Sequence, residues 1–187
     1  MPERQRADAR RNYARILAVA EQEVAAHGAN ASLEQIARVA GVGSATVRRH
    51  FPTRRALLEA VSHQRVDALC ERAGELAGTD DGRAALLEWL GDLLAYCVSA
   101  RGLADVLTYD AEAEAAHQNA CSARMEEAGE PLLRRAVRDG AVSGEVTVAD
   151  LVTLVVGIAL ATEHHPDPRA AAERLFTLAV AGLSPQR

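Results

Sequence analysis

Apolar residues recur at helical spacing almost from the start of the chain. Tyr13, Ile16, Leu17, Ala20 and Val24 fall three or four positions apart and predict a helix from about residue 9. Gly28 stands just past them, where a left-handed terminal glycine belongs. Residues 1–8 are polar, carry Arg4 and Arg6, and are expected to form a loose arm. Ser32-Leu33-Glu34-Gln35 has the form of a capping box, so a second helix opens at Leu33, turns Ile36, Ala37 and Ala40 inward, and stops at Gly41. Only Gly41, Val42 and Gly43 separate it from a third helix, Ser44 to Phe51, which Pro52 ends. Two helices joined by so short a turn must cross steeply, as in a helix-turn-helix.

A fourth helix, over about residues 54–73, places Leu57, Leu58, Val61, Val66 and Leu69 on one side and reads as a connector. After a loop from Gly74 to Gly82 come an apolar helix over about 83–100 and a short one over 103–109. A long Ala- and Glu-rich helix then starts at Ala111; Pro131 is expected to restart it and Gly140 to close it. Thr147 to Asp150 is another capped start, for a helix running to His164, and Asp167-Pro168 opens the last, which ends at Gly182. These last two helices are apolar over more than a narrow stripe, which predicts cover by their own domain and by a second copy of the chain. Leu151, Leu154, Val155, Ile158, Leu175, Leu178 and Ala179 are the residues expected at that homodimer interface. The fold class is all-α: a three-helix head over 1–58 joined through the long fourth helix to a helical domain over 59–187.

Composition agrees, since 49% of the residues are hydrophobic but only 3% aromatic, which favours helices packed through small aliphatic side chains. The net charge of −5 would argue against a nucleic-acid partner if it were evenly spread. It is not. Residues 1–58 carry ten arginines against five acids, and residues 59–187 carry eleven against 21, so a +5 head sits on a −10 body. That polarity suits a protein that meets DNA phosphates with one end. All the basic residues are arginine, a bias that carries no function by itself.

Cys70, Cys97 and Cys121 show neither disulfide nor zinc spacing, the N-terminus has no hydrophobic run, and the apolar stretch 151–161 is too short to span a bilayer. A cytoplasmic protein with no membrane partner is expected. Adjacent His164 and His165 diverge by about 100° on a helix and lack a third ligand, so no metal is expected. No phosphate loop, Ser/His/Asp arrangement or paired carboxylates appear, so neither a cofactor nor an enzyme is expected.

The head resembles the TetR family of regulators. The resemblance is carried by Ser32-Leu33-Glu34-Gln35-Ile36-Ala37, Ala40-Gly41-Val42, Thr46-Val47, and His50-Phe51-Pro52-Thr53-Arg54 followed by Leu57-Leu58. In the body, Trp89-Leu90 through Arg101-Gly102-Leu103-Ala104, Asp150-Leu151 and Ala181-Gly182-Leu183 resemble the SbtR-like C-terminal domain. Two positions depart from the family pattern: Gly43 stands where Ser is common, and Arg48 where Tyr is usual. The first change removes a capping hydroxyl and costs a few tenths of a kcal/mol, since Gly is an acceptable N-cap.

The resemblance implies a repressor that binds double-stranded DNA as a homodimer at a palindromic operator and is released by a small-molecule effector. It implies that Ser44, Ala45 and Thr46 face base edges, flanked by Arg48 and Arg49, and that Ser32, His50, Thr53 and Arg54 hold phosphates. Arg48 either reads guanine O6 and N7, clamps a phosphate, or stands idle in solvent. For the effector pocket of the C-terminal domain the candidates are Trp89, Leu93, Tyr96, Cys97, Leu107, Tyr109 and His117, each of which suits plain core better than a ligand contact. The alternatives are a helical ligand-binding protein or a nonspecific DNA-binding protein without a discrete operator.

Overall fold

The computed structural model describes residues 2–99 and 111–182, with side chains for 8–28, 30–99 and 121–182. Among these residues every regular element is helical. The helices are α1 Pro2–His27, α2 Leu33–Val39, α3 Ser44–His50, α4 Arg54–Leu76, α5 Gly82–Ser99, α6 Ala111–Arg138, α7 Val148–Ala161 and α8 Pro168–Gly182. A single 3-10 turn, Gly28–Asn30, separates the first two. The chain divides into two compact units, and the division falls inside α4 between Gln64 and Arg65.

Four boundaries differ from those the sequence predicts. α1 begins at Pro2 rather than near residue 9, so the expected loose arm is helical; proline suits a first helical position because its missing N–H has no intrahelical partner there. α4 continues through Gly74 to Leu76, where Ala73 and Leu76 are both buried and hold the last turn. α6 runs through Pro131 without restarting. One backbone bond is lost there, but Leu132, Leu133 and Ala136 beyond it are buried and keep the helix in register. α7 stops at Ala161 rather than His164, because Thr162 leaves helical geometry and donates its buried hydroxyl to the Ile158 and Ala159 carbonyls at 2.9 and 3.1 Å. His164 and His165 therefore lie in the turn before α8. The short helix expected over 103–109 lies outside the described residues.

The first unit is built on Ile16, Leu17, Ala20 and Val24 of α1, Ile36 and Ala37 of α2, Val47 of α3, Phe51, and Leu57, Leu58 and Val61 of α4, all buried. α2 ends in a Schellman turn. Gly41 takes φ +63°, the Val42 N–H donates to the Ala37 carbonyl at 3.0 Å, and the Gly41 N–H donates to Arg38 at 3.2 Å. The N-terminal cap is only half the expected box: Ser32 Oγ accepts from the Gln35 N–H at 3.2 Å, but the Ser32 N–H points to Glu23 of α1 at 3.4 Å. The Gln35 side chain bonds Arg38 instead.

The second unit centres on Trp89, fully buried in α5 with its Nε1 donating to the Leu69 carbonyl at 3.0 Å. α6 crosses it at Gly129. A Cβ there would lie 2.7 Å from two indole carbons and 2.9 Å from Val148 Cγ1. α7 opens with a complete capping box, in which Asp150 and Thr147 exchange side-chain and backbone bonds.

Gly129→Ala should therefore destabilise the protein by about 1–2 kcal/mol, overpacking outweighing the gain in helix propensity. Gly91→Ala in α5, where no described atom lies within 4 Å of the added methyl, should stabilise it by up to about 1 kcal/mol. Urea unfolding of the two variants checks the opposite signs; equal shifts would remove the Trp89 contact as the cause.

Candidate nucleic-acid interface

α3 is seven residues long, too short to persist by its own propensity, and Val47 together with Phe51 just beyond it anchors the helix in the core of the first unit. That anchor leaves Ser44, Ala45, Arg48 and Arg49 exposed on the outer side and Thr46 half-buried. Gly43 caps the helix without a side-chain bond, its carbonyl accepting from Thr46 and Val47 at 2.8 and 3.3 Å. The outer face thus offers one hydroxyl, one methyl and two guanidinium groups.

The other predicted contact residues are already engaged in different ways. Thr53 Oγ1 accepts from the Ala56 N–H at 3.0 Å and so starts α4, which leaves its hydroxyl proton free to donate. Arg54 Nη2 donates to the Ala31 carbonyl at 2.8 Å, tying α4 to the segment before α2. Arg49 has no partner among the described residues. His50 is half-buried, and its Nε2 is buried with no hydrogen-bond partner, so any phosphate contact by this ring falls to the other nitrogen. Tyr13 of α1 packs edge-on to His50 and stacks on Phe51, with centroids 5.8 and 5.2 Å apart. Placed in the buried stripe of α1 by sequence, Tyr13 is 38% exposed beside α3.

Glu34, in the first turn of α2, stands between two of the predicted contacts. Its Oε2 accepts from Ser32 Oγ and its Oε1 from Arg48 Nη2, both at 3.4 Å. Its carboxyl is held below the ordinary value by a hydrogen bond from its own backbone N–H and then by the Arg48 guanidinium, against some desolvation. Sequence spacing gave no sign of this bridge, because 14 positions and a turn separate Glu34 from Arg48.

The model for bacterial regulatory proteins of the tetR family matches residues 16–61, and the SbtR-like C-terminal domain of transcriptional regulators matches residues 81–185. The chain belongs to the TetR family of transcriptional regulators. Among solved structures, a TetR regulator from Streptomyces coelicolor is 32% identical with a TM-score of 0.74, the match covering 94% of this chain and 99% of that one. A TetR regulatory protein from Mycobacterium vanbaalenii is 34% identical with a TM-score of 0.69, over 96% and 99%. One from Agrobacterium tumefaciens shares the fold at 19% identity and a TM-score of 0.66, over 94% and 99%. No curated protein matches.

In this TetR chain the residues singled out for an effector pocket are dispersed in role. Trp89 and Leu93 are fully buried parts of the core of the second unit. Tyr96 is half-buried with the Arg65 guanidinium 5.9 Å from its ring centre. Cys97 is half-buried, and burial pushes its thiol up to about 11, so it stays protonated and unreactive at neutral pH. Leu107 and Tyr109 lie outside the described residues, and His117 lies in α6 with its side chain outside them.

The residues singled out for a dimer interface also divide. Leu151, Val155 and Ile158 are buried in their own unit, and Leu154, Leu175 and Ala179 are half-buried against it. Leu178 is 61% exposed. Val156 and Leu160, which the sequence reading passed over, are exposed on α7 with Thr153 and Gly157. The TetR chain has no described helix long and apolar enough to cross a membrane.

Arg54→Ala should lower stability by about 1 kcal/mol, through loss of the bond to the Ala31 carbonyl, whereas Arg49→Ala should leave it within about 0.5 kcal/mol of the parent. Thermal unfolding of both variants without DNA makes the comparison; a silent Arg54→Ala would show that the tie carries no stability.

Proposed function

We propose that this TetR regulator is a repressor that grips a palindromic operator as a dimer and releases it when a small molecule binds the SbtR-like domain. It acts in the cytoplasm by binding alone, without a catalytic step. The observation that carries this reading is α3: a helix held by buried Val47 and Phe51 presents Ser44, Ala45, Arg48 and Arg49 outward. A helix in the major groove meets base edges with such residues. Ala45 admits close approach, its methyl or that of Thr46 meets a thymine methyl, and Arg48 offers paired donors to guanine. Arg49, Thr53, Arg54 and His50 are proposed to hold the phosphates that set the register.

A dimer is supported by the outward face of the last two helices. Thr153, Val156, Gly157 and Leu160 repeat at three- and four-residue steps along α7, and Leu178 stands out from α8. Leucines exposed to 65% and 61% gain most from cover by a second chain. Two heads so joined would read half-sites about 34 Å apart, one turn of the duplex.

Selection of bound duplexes from a random pool, followed by footprinting, should give one palindromic site. A nonspecific DNA-binding protein gives no discrete footprint, and a ligand-binding protein that has lost DNA gives none at all. On the selected operator Arg48→Ala should weaken binding at least about tenfold; unchanged affinity in a gel-shift titration would remove Arg48 from the site. Leu160→Arg combined with Leu178→Arg should convert the dimer to a monomer in sedimentation velocity. A variant that sediments as a dimer would place the interface elsewhere.

A further inference from the structure

We infer that Glu34 is a specificity-determining residue: its carboxylate fills the place where Ser32 and Arg48 would otherwise hold a DNA phosphate, and so reserves Arg48 for a base. The inference rests on the DNA-binding reading above and adds to it a role for an acid on the binding face.

The geometry is that of an anion site closed by the protein itself. One hydroxyl and one guanidinium, from the N-cap of α2 and from α3, converge on the two oxygens of a single carboxylate. A phosphate would use the same pair of donors. The arrangement is in the open, the Arg48 and Glu34 side chains being 65% and 69% exposed, so it adds little to stability. What it changes is the charge that Arg48 shows to the duplex. A lone guanidinium is drawn to any phosphate whatever the sequence, and that attraction raises affinity for all DNA alike. With Nη2 directed to Glu34, the pair is neutral overall, and the remaining N–H groups of Arg48 keep the fork that guanine O6 and N7 accept.

Other charged groups do not replace Glu34. Arg38 of α2 is bonded to Gln35, Arg54 to the Ala31 carbonyl and Arg55 to Glu59, while Glu23 takes the Ser32 N–H on the α1 side. Among the described residues Glu34 is the one acid bonded to an exposed cation of α3.

The test is a cycle of four full-length proteins: the parent, Glu34→Ala, Arg48→Ala and the double variant. Each is taken through duplex selection and through a salt titration of nonspecific duplex binding, after circular dichroism has shown equal folding. Because a new phosphate contact steepens the salt dependence by about 0.9, Glu34→Ala should lose about threefold more affinity than the parent between 50 and 200 mM salt. It should also lose the guanine preference at one position of each half-site. In the Arg48→Ala background, removal of Glu34 should change neither the salt slope by that amount nor the selected sequence. The inference is overturned if Glu34→Ala selects the parent's site unchanged, or if its salt effect is the same with and without Arg48, since the acid would then act only as a distant charge. If the parent itself selects no motif, the repressor reading fails and this inference goes with it; a parent motif with an unchanged Glu34→Ala motif sinks this inference alone.

Discussion

The face the head turns outward depends on how α2 is brought to a stop. Gly41 sits at φ +63°, a conformation that costs a residue with a Cβ about 1–2 kcal/mol, although no described atom lies within 4 Å of where that Cβ would be. The restriction is in the backbone itself, not in crowding. With Gly41 so turned, the Val42 and Gly41 N–H groups close on the last carbonyls of α2, and the chain leaves in a new direction within three residues. α2 and α3 have seven residues each, and isolated helices of that length do not persist in water. They hold because the turn lets Ile36 and Ala37 on one side and Val47 and Phe51 on the other enter one core with α1 and α4. Once Val47 is buried, the exposure of Ala45 and Arg49, which lie nearly opposite it on the helix, follows from 3.6 residues per turn.

The second unit solves a different problem with the same economy. Its single tryptophan is the largest fully buried side chain among the described residues, and a buried indole needs both close packing and a partner for its N–H. Leu69 of α4 supplies the carbonyl, and Gly129 of α6 supplies the absence of a side chain over the ring. Three helices, α4, α5 and α6, are thereby fixed to one ring. α7 adds Val148 to the same contact, and its capping box sets where that helix begins.

Much of this was legible in the sequence because it is local. Caps at Ser32, Thr147 and Asp167, the glycines 28 and 41, and three- and four-residue apolar spacing are written in short windows, and apart from the start of α1 the described helices stand where those signals place them, to within a few residues. The misplacements have physical causes that short windows do not contain. Pro131 and Gly74 read as breaks, yet burial of the residues beyond them outweighs the local cost. In α7 and α8 the apolar surface is nearly continuous, so periodicity could not say which leucines belong to the core and which to the outer face. Tertiary packing decides it, burying Leu151, Val155 and Ile158 and leaving Val156, Leu160 and Leu178 out. The link between Glu34 and Arg48 depends on the register of two helices across a left-handed glycine, which no spacing rule encodes.

That link bears on what it means to have an arginine at position 48. The family usually carries a tyrosine there, which is neutral and contributes little until it touches something. An arginine acts at a distance of about 8 Å even in physiological salt, and it does so for every duplex. In a head already at +5, one more unpaired cation on α3 would strengthen binding to any duplex as much as to one site, and the ratio between the two is what a regulator needs. Pairing the arginine with an acid on the neighbouring helix removes the long-range part and keeps the short-range, directional part. On the proposed reading, the cost in affinity falls on all sequences equally, whereas the fork of donors that remains would distinguish guanine from the other bases.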